Sequence, residues 1–400
     1  MKKIYYGQAN YNYKEINACL KVLKKQKLSL MTGDKVKILE KKIANLFGKK
    51  YALMVNSGSS ANLLAIQSLN LRKKSEVITP TLTFSTTISP IYQSGLIPNF
   101  IDVKKDTFVA DVEQIEKQIN KNTKIILIPN LIGNIANWYK INKLARKYKL
   151  LTIEDSADTL GYKFKGSNTG KLSDIVTNSF YASHIVSGAG FGGIVCFNNK
   201  KHYLRAKLLR GWGRSSALFN EDENIEKRFG KKLNGIKYDS KYIFEDFGYN
   251  FLPSEISAAF ALEQIKKLKL NLQIRTRNFN FLRNFFSKNS NFFEVPKKEP
   301  EIKTAWLAFP LLIKKNKYFD RTDLQIFLEK NNIQTRTIFT GNILKQPIMK
   351  SQKYKKHRIA ETNSTDIMRR GMLLGCHQSL KLKDMKRMTN TINGYITSFK

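Results

Sequence analysis

Apolar residues recur at helical spacing over Tyr13–Lys27 and Asp34–Phe47, on either side of the turn Met31-Thr32-Gly33-Asp34, and predict two helices before any strand. From Tyr51 the pattern changes to short apolar runs: Tyr51–Val55, Glu76–Ile78, Pro98–Val103, Lys124–Ile128, Leu150–Glu154, Asp174–Ser179 and Gly193–Phe197. These predict seven strands. Helical stretches at Ala61–Leu71, Val112–Ile119 and Ile141–Tyr148 alternate with the early runs, which is the pattern of a mainly parallel sheet covered by helices on both faces, an α/β fold. Past residue 255 a long Lys- and Leu-rich helix is expected over Ser257–Phe286. A strand at Thr304–Ile313, a helix at Arg321–Lys330, a strand at Ile333–Phe339 and a helix near Thr365–Leu373 follow, and they read as a small α+β unit. The expected division is a large α/β domain with its N-terminal helices over residues 1–255, then a connecting helix and small domain over 256–400. In open sheets of this kind ligands gather at the carboxyl ends of the strands, so the loops there are where chemistry is to be sought.

Composition removes several alternatives. With 42% hydrophobic and 25% charged residues, 400 residues bury a sizeable core, so the chain is neither disordered nor fibrous. The apolar stretches Ile125–Ile135 and Ile175–Phe197 are interrupted by Pro129, Gly133, His184 and further glycines, and no membrane partner is expected. The opening MKKIYYGQANYNYKE lacks an apolar signal core, which makes the cytoplasm the default. Cys19, Cys196 and Cys376 are scattered without CxxC spacing, which argues against a disulfide framework, a metal site or an iron-sulfur cluster. Seventy Lys and Arg against 31 Asp and Glu give a net charge of +39, a balance found in proteins that bind polyanions. Here the lysines are dispersed among abundant asparagines, as codon bias toward AT-rich triplets produces, and no basic stripe or binding motif stands out. No nucleic-acid partner is expected, although small anionic ligands are favoured.

Three clusters carry candidate chemistry. Asn56–Asn62, NSGSSAN, follows a strand and opens a helix, so Gly58 and Ser59 would present backbone amides and a hydroxyl to an anion; a plain serine cap with a turn glycine gives the same pattern. Ile153–Asp158, IEDSAD, ends a strand in three acids, suited to a cationic ligand or to an exposed acidic loop. Ser179–His184, SFYASH, joins hydroxyls to a histidine ahead of Gly188, Gly190, Gly192 and Gly193, where the backbone can approach a ligand closely.

Taken in order, NSGSSAN, EVITPTLTFSTT, the stretch from Glu154 to His184, the GG that follows, RGWGR and FGYNFLPSEISAAFALEQIKKL resemble the nucleotide-sugar aminotransferase and dehydratase family of fold-type I pyridoxal phosphate (PLP) enzymes. The resemblance implies that Gly58, Ser59 and Ser179 hold the cofactor phosphate, that Phe84 stacks on the pyridine ring and that Asp155 pairs with the ring nitrogen. It also implies a homodimer with shared active sites, in which Asn250 reaches the phosphate of the neighbouring subunit.

At the position of the family's cofactor-anchoring lysine stands His184, which cannot make that covalent link but can move a proton near neutrality. Together with Asp158 in place of the usual glutamine, this resembles the histidine-bearing 3-dehydratase branch. One subgroup there carries a cysteine-bound [2Fe-2S] centre just after RGWGR; Arg214–Phe219 contains no cysteine, so no cluster is expected. The implied activity is removal of the C3 hydroxyl of a nucleotide-4-keto-6-deoxyhexose, GDP-4-keto-6-deoxy-D-mannose above all. The cofactor would be non-covalent PLP or pyridoxamine phosphate (PMP), L-glutamate the amino donor, and the setting deoxysugar and surface-polysaccharide (O-antigen) synthesis. Arg214 and Arg336 are candidates for the nucleotide's diphosphate, and His377 reads as structural. The chain departs from the family in the glycine run Ser187–Gly193, which lacks the usual glutamate. Two other readings stand beside this one: an aminotransferase on the same sugar class, and a basic binding protein that has lost catalysis.

Overall fold

The computed structural model describes residues 2–25, 30–219 and 225–399. Helices α1 (Tyr13–Lys25) and α2 (Asp34–Phe47) come first, and the last two residues of the first expected helix, Gln26 and Lys27, lie outside the described residues. Helix α2 starts on a carboxylate from far along the chain, because the buried Glu255 accepts from the amides of Lys35 (2.9 Å) and Val36 (2.8 Å). It ends at Gly48, whose left-handed conformation (φ 63°) suits a residue without a side chain.

Seven strands follow where the apolar runs lie: β1 (Tyr51–Val55), β2 (Glu76–Pro80), β3 (Ile97–Ile101), β4 (Thr123–Pro129), β5 (Leu151–Asp155), β6 (Ile175–Ser179) and β7 (Gly193–Phe197). They form one sheet in the order β1-β7-β6-β5-β4-β2-β3, parallel except for β7, which runs antiparallel to both neighbours. Alternate residues of one strand reach opposite cores: Ile126 and Ile128 pack with Phe47, Val176 and Ile194, while Ile125 and Leu127 pack with Leu64, Ile153 and Val195. Burial on both faces explains why these strands read as continuous apolar runs rather than alternating ones. Helices α3 (Gly58–Gln67), α4 (Ser85–Gln93), α5 (Trp138–Lys147) and α6 (Lys200–Arg210) belong to this part of the chain.

The single helix expected over Ser257–Phe286 is two, α7 (Glu255–Lys266) and α8 (Leu268–Lys288). At Lys267 the ladder tightens to an i−3 bond onto Gln264 (3.0 Å), and the side chain turns back to the buried carboxylate of Glu15 (2.7 Å). A four-stranded sheet then forms from β8 (Phe293–Glu294), β9 (Phe309–Ile313), β10 (Thr335–Thr337) and a later strand, with the expected helix α9 (Arg321–Lys330) between β9 and β10. Strand β9 begins later than the apolar pattern suggests, because Thr304 and Leu307 bond to the loop at Ile132–Gly133 instead of to a strand, with Trp306 held at φ 52°. Strand β10 is likewise shorter than its run, since Ile333 turns into the core and Ile338 enters a turn closed by Gly341.

Residues Lys355–Lys356 (β11) return to the large sheet and pair with β3, giving it an eighth strand that the sequence pattern did not contain. The helix expected near Thr365–Leu373 is α10 (Thr362–Arg370), and Gly371–Leu374 is the strand β12 at the centre of the small sheet. Helix α10 starts early because the buried carboxylate of Asp102 accepts from the amides of Asn363 (2.7 Å) and Ser364 (3.0 Å). Helix α4 and the terminal helix α11 (Leu382–Thr397) also had no counterpart in the pattern. The small sheet, α8 and α11 enclose a third core in which Phe286 stacks on Phe309 (5.4 Å) and Phe279 on Trp306 (4.9 Å). No helix of the described residues is long and apolar enough to cross a membrane.

Candidate active site

At the carboxyl ends of β1, β4, β5 and β6 lies a cavity of about 380 Å³. Its floor is the start of α3. Ser57 caps this helix, accepting from the amide of Ser60 (3.1 Å), which leaves the first-turn amides of Gly58 and Ser59 directed out of the helix end toward the cavity they line. A side chain at position 58 is excluded, since a Cβ there would stand 2.7 Å from the Cβ of Ser179; one at Gly193 would stand 2.3 Å from the Ser57 carbonyl. Two glycines thus bring a helix terminus and the Ser179 hydroxyl together on one spot, a cradle shaped for a small anion.

Deeper in, Asp155 ends β5 with 7% of its surface exposed. Its Oδ2 accepts from Asn62 (2.9 Å) and Thr87 (2.9 Å), and its Oδ1 from the Ala157 amide (3.2 Å). All three donors are neutral. Burial therefore pushes this carboxyl above its usual range, and the hydrogen bonds only partly offset the shift. Such a carboxylate is poised for a cation delivered by a ligand. Phe84, half-exposed just before α4, presents its ring to the cavity and meets Phe339 edge-on at 6.0 Å.

Opposite lies a second pair. Asp158, in the turn after β5, takes the Ile132 amide on Oδ2 (2.9 Å), while its Oδ1 stands 3.4 Å from Nδ1 of His184. That nitrogen has no hydrogen-bond partner of good geometry, so the contact is a close approach rather than a formed bond. Burial, reinforced by the neighbouring Asp155, raises Asp158 to about 7. Burial, with the charge of Arg275 second, lowers His184 to about 4. In this low-dielectric pocket the pair favours its uncharged forms, and His184 enters neutral pH as a free base. The side chain of His184 keeps 17% of its surface open. No lysine of the described residues lines the cavity.

Of the residues singled out from the sequence, Gly58, Ser59, Phe84, Asp155, Asp158, Ser179 and His184 meet in this one cavity. Asn250 does not reach it from its own chain; it is exposed and pairs through its backbone with Gly211. Arg214 is also elsewhere, lying 3.9 Å over the Trp212 ring and donating to the Lys241 carbonyl (3.4 Å). Arg336 borders a larger adjoining cavity of about 760 Å³ that shares Tyr6, Phe84, Tyr181, Ser183 and Phe339 with the first. His377 is buried beside the Tyr5 carbonyl (3.0 Å), away from both. Sequence reasoning missed Tyr6, Asn62, Thr87, Asn130 and Phe339. Only Asn62 carried a signal, one helical turn after Gly58 on the same face of α3.

The DegT/DnrJ/EryC1/StrS aminotransferase family model matches residues 10–393. A lipopolysaccharide biosynthesis protein, RfbH of Salmonella typhimurium, is 33% identical over 88% of this chain and 82% of its own length. A GDP-4-keto-6-deoxy-D-mannose 3-dehydratase of Escherichia coli O55:H7 is 33% identical over 86% of this chain and 88% of its own. Among solved structures, an E. coli GDP-4-keto-6-deoxy-D-mannose 3-dehydratase with bound hydrated PLP superposes with a TM-score of 0.85 at 30% identity, covering 97% of this chain and 99% of that one. The sheet order, the strand-end cavity and these matches agree, and the chain belongs to the DegT/DnrJ/EryC1/StrS aminotransferase family.

Proposed function

We propose that this protein is a PLP/PMP-dependent 3-dehydratase of a nucleotide-4-keto-6-deoxyhexose, with GDP-4-keto-6-deoxy-D-mannose as substrate and L-glutamate as amino donor. One observation carries the reading: the cavity offers the imidazole of His184 beside a carboxyl, and none of the described lysines lines it. A cofactor held there is held without a covalent link to lysine, as dehydration followed by loss of ammonia requires and as stable transamination does not favour.

The residues fit PLP in three separate respects. The glycine-cleared cradle at Gly58, Ser59 and Ser179 suits its phosphate, Asp155 with neutral donors alone suits a protonated ring nitrogen, and the open face of Phe84 suits the ring. Bound there, the cofactor supplies an amine for the sugar's C4 ketone and an electron sink that lets the neighbouring C3 hydroxyl depart. The protein supplies the rest. Asp155 would keep a positive charge on the ring nitrogen, and the neutral His184 would take and return a proton through Nε2, the ring nitrogen not facing Asp158. Arg336, on the wall of the adjoining cavity, offers a cation for the nucleotide's diphosphate. Asn250, exposed near Phe244 (59% exposed) and Phe247 (98%), suits a homodimer in which it completes the phosphate site of a second copy.

The family's aminotransferase members define the competing outcome, tested by loading the protein with PLP, treating it with borohydride and weighing the intact chain. The expected result is no added mass, with L-glutamate converting the bound cofactor to PMP in a parallel sample. A chain heavier by one reduced cofactor would overturn the assignment and make the protein an aminotransferase anchored through a lysine.

A further inference from the structure

Arg275, within α8, is fully buried and is the largest side chain so enclosed among the described residues. Its partners are all neutral: Nε donates to Oε1 of Gln378 (2.6 Å), and Nη1 to the carbonyls of Leu307 (2.9 Å) and Trp306 (3.3 Å). Nη2 is buried without a partner, and no carboxylate of the described residues forms an ion pair with the group. A guanidinium cannot shed its proton, and an enclosed charge without a counterion is costly, so its retention needs a reason.

The hydrogen bonds supply one. The Leu307 carbonyl that Arg275 holds belongs to a residue whose amide donates to the Ile132 carbonyl (2.8 Å), and the Ile132 amide donates to Oδ2 of Asp158 (2.9 Å). Three bonds run unbroken from α8 to the carboxyl that faces His184. The segments they join have little freedom. Ile132 sits at φ 60° and Trp306 at φ 52°, and Gly133 lies so close that a Cβ would stand 2.8 Å from the Leu307 amide.

We propose that Arg275 is a positioning residue for the Asp158–His184 pair: through Leu307 and Ile132 it fixes where the Asp158 carboxyl stands, and it adds an enclosed positive charge to the burial that already disfavours a charged imidazole. The direction of the electrostatics agrees, since the guanidinium lowers both His184 and Asp158. The other titratable groups within its influence, Tyr6, Tyr162, Cys376 and His377, are driven toward their neutral forms by burial, and Asp155 acts on Asp158 with the opposite sign. This inference rests on the proposed role of His184, but its test does not need that role to be correct.

The test is an NMR titration of the histidine ring protons in the cofactor-free full-length protein. Only four histidines are present, and His184→Asn assigns the signal. Arg275→Met removes both the charge and the bond to the Leu307 carbonyl and is expected to move the His184 midpoint up by about one pH unit, while Arg275→Lys keeps the charge and one donor for that carbonyl and is expected to recover most of the shift. Should Arg275→Met fail to fold, Arg275→Gln keeps polar contacts and serves the same comparison. An unchanged midpoint in the neutral variant, or an equal shift in the lysine variant, overturns the proposal. If dehydratase activity is established, the acidic limb of kcat should shift upward in the neutral variant by the same amount. A limb that stays put while the NMR midpoint moves would refute the catalytic assignment of His184 and leave the positioning intact.

Discussion

Asp155 and Asp158 leave the same strand three positions apart, both closed off from bulk water, and their surroundings differ in kind. Asp155 is the last residue of β5, held by Asn62 of α3, Thr87 of α4 and the Ala157 amide. Asp158 lies in the turn beyond, gripped on one oxygen by a single amide and facing an imidazole across 3.4 Å with the other. The first environment fixes a carboxyl's position and leaves its charge to be matched by a ligand. The second places the proton on the carboxyl rather than on the imidazole, because burial has moved the two affinities in opposite directions. One strand end thus provides a fixed carboxyl and, three residues on, a carboxyl beside an imidazole, which under the proposed function would separate holding a cofactor from transforming a substrate.

The largest effect expected from breaking that division is at His184. His184→Asn should retain PLP yet lose roughly a thousandfold in dehydration, within the range for a general acid-base group, as followed by chromatography of the deoxysugar product. A variant within tenfold of the parent would mean that the proton pair is not where chemistry happens. The fixed carboxyl is tested next. Asp155→Asn should weaken PLP about ten- to a hundredfold by removing one charge-assisted bond, as read by equilibrium dialysis. The cofactor-free variant should melt within about 2 °C of the parent, because the neutral amide relieves a buried carboxyl raised by its surroundings while leaving the Ala157 amide without its acceptor. A large loss of melting temperature without cofactor would show that Asp155 holds the fold rather than the ligand.

On both walls of the cavity the locally encoded residues were legible in the sequence, Asp158 and His184 as well as Gly58, Ser59 and Asp155. The wall of Asp155 is built from local motifs: NSGSSAN places a helix end beside β1, and the apolar run of β5 delivers its acids to the strand's carboxyl end, so a short stretch of chain carries most of the information. The missed residues depend on contacts between distant positions, Asn62 and Thr87 on Asp155 among them. Tyr6 lines both cavities from the N-terminal arm, Phe339 arrives from the turn after β10, and the Ile132–Leu307 bond joins segments 175 positions apart. No periodicity announces such pairings. The same limit explains the misjudged boundaries in the second half. Lys267 breaks the long helix because Glu15 lies beside it, and α10 starts at Thr362 because Asp102 caps it from the large sheet. The apolar pattern records what a segment buries, whereas these ends are set by single polar contacts from elsewhere.

The smallest effect is the most direct measure of the contrast. In the cofactor-free protein Asp158 has its affinity for a proton raised from 3.8 to about 7, so the folded state holds a proton that the unfolded chain has released. Its contribution to stability is complete below about pH 4 and is lost as pH rises toward 7. His184, lowered from 6.5 to about 4, works the other way over the overlapping window, because there the unfolded chain binds the proton. A melting curve of the parent therefore mixes two opposed slopes, and the informative quantity is its difference from Asp158→Asn, in which the amide still accepts from Ile132 while the titration is gone. Between pH 5 and 7 the parent should lose about 1–3 °C more than the variant. Repeating the comparison with Asp155→Asn in the background should shrink that difference, since Asp155 is the second cause of the Asp158 shift. Parallel curves for parent and variant would mean that Asp158 is ionised throughout, that His184 faces a permanent anion, and that the two carboxyls differ in position but not in kind.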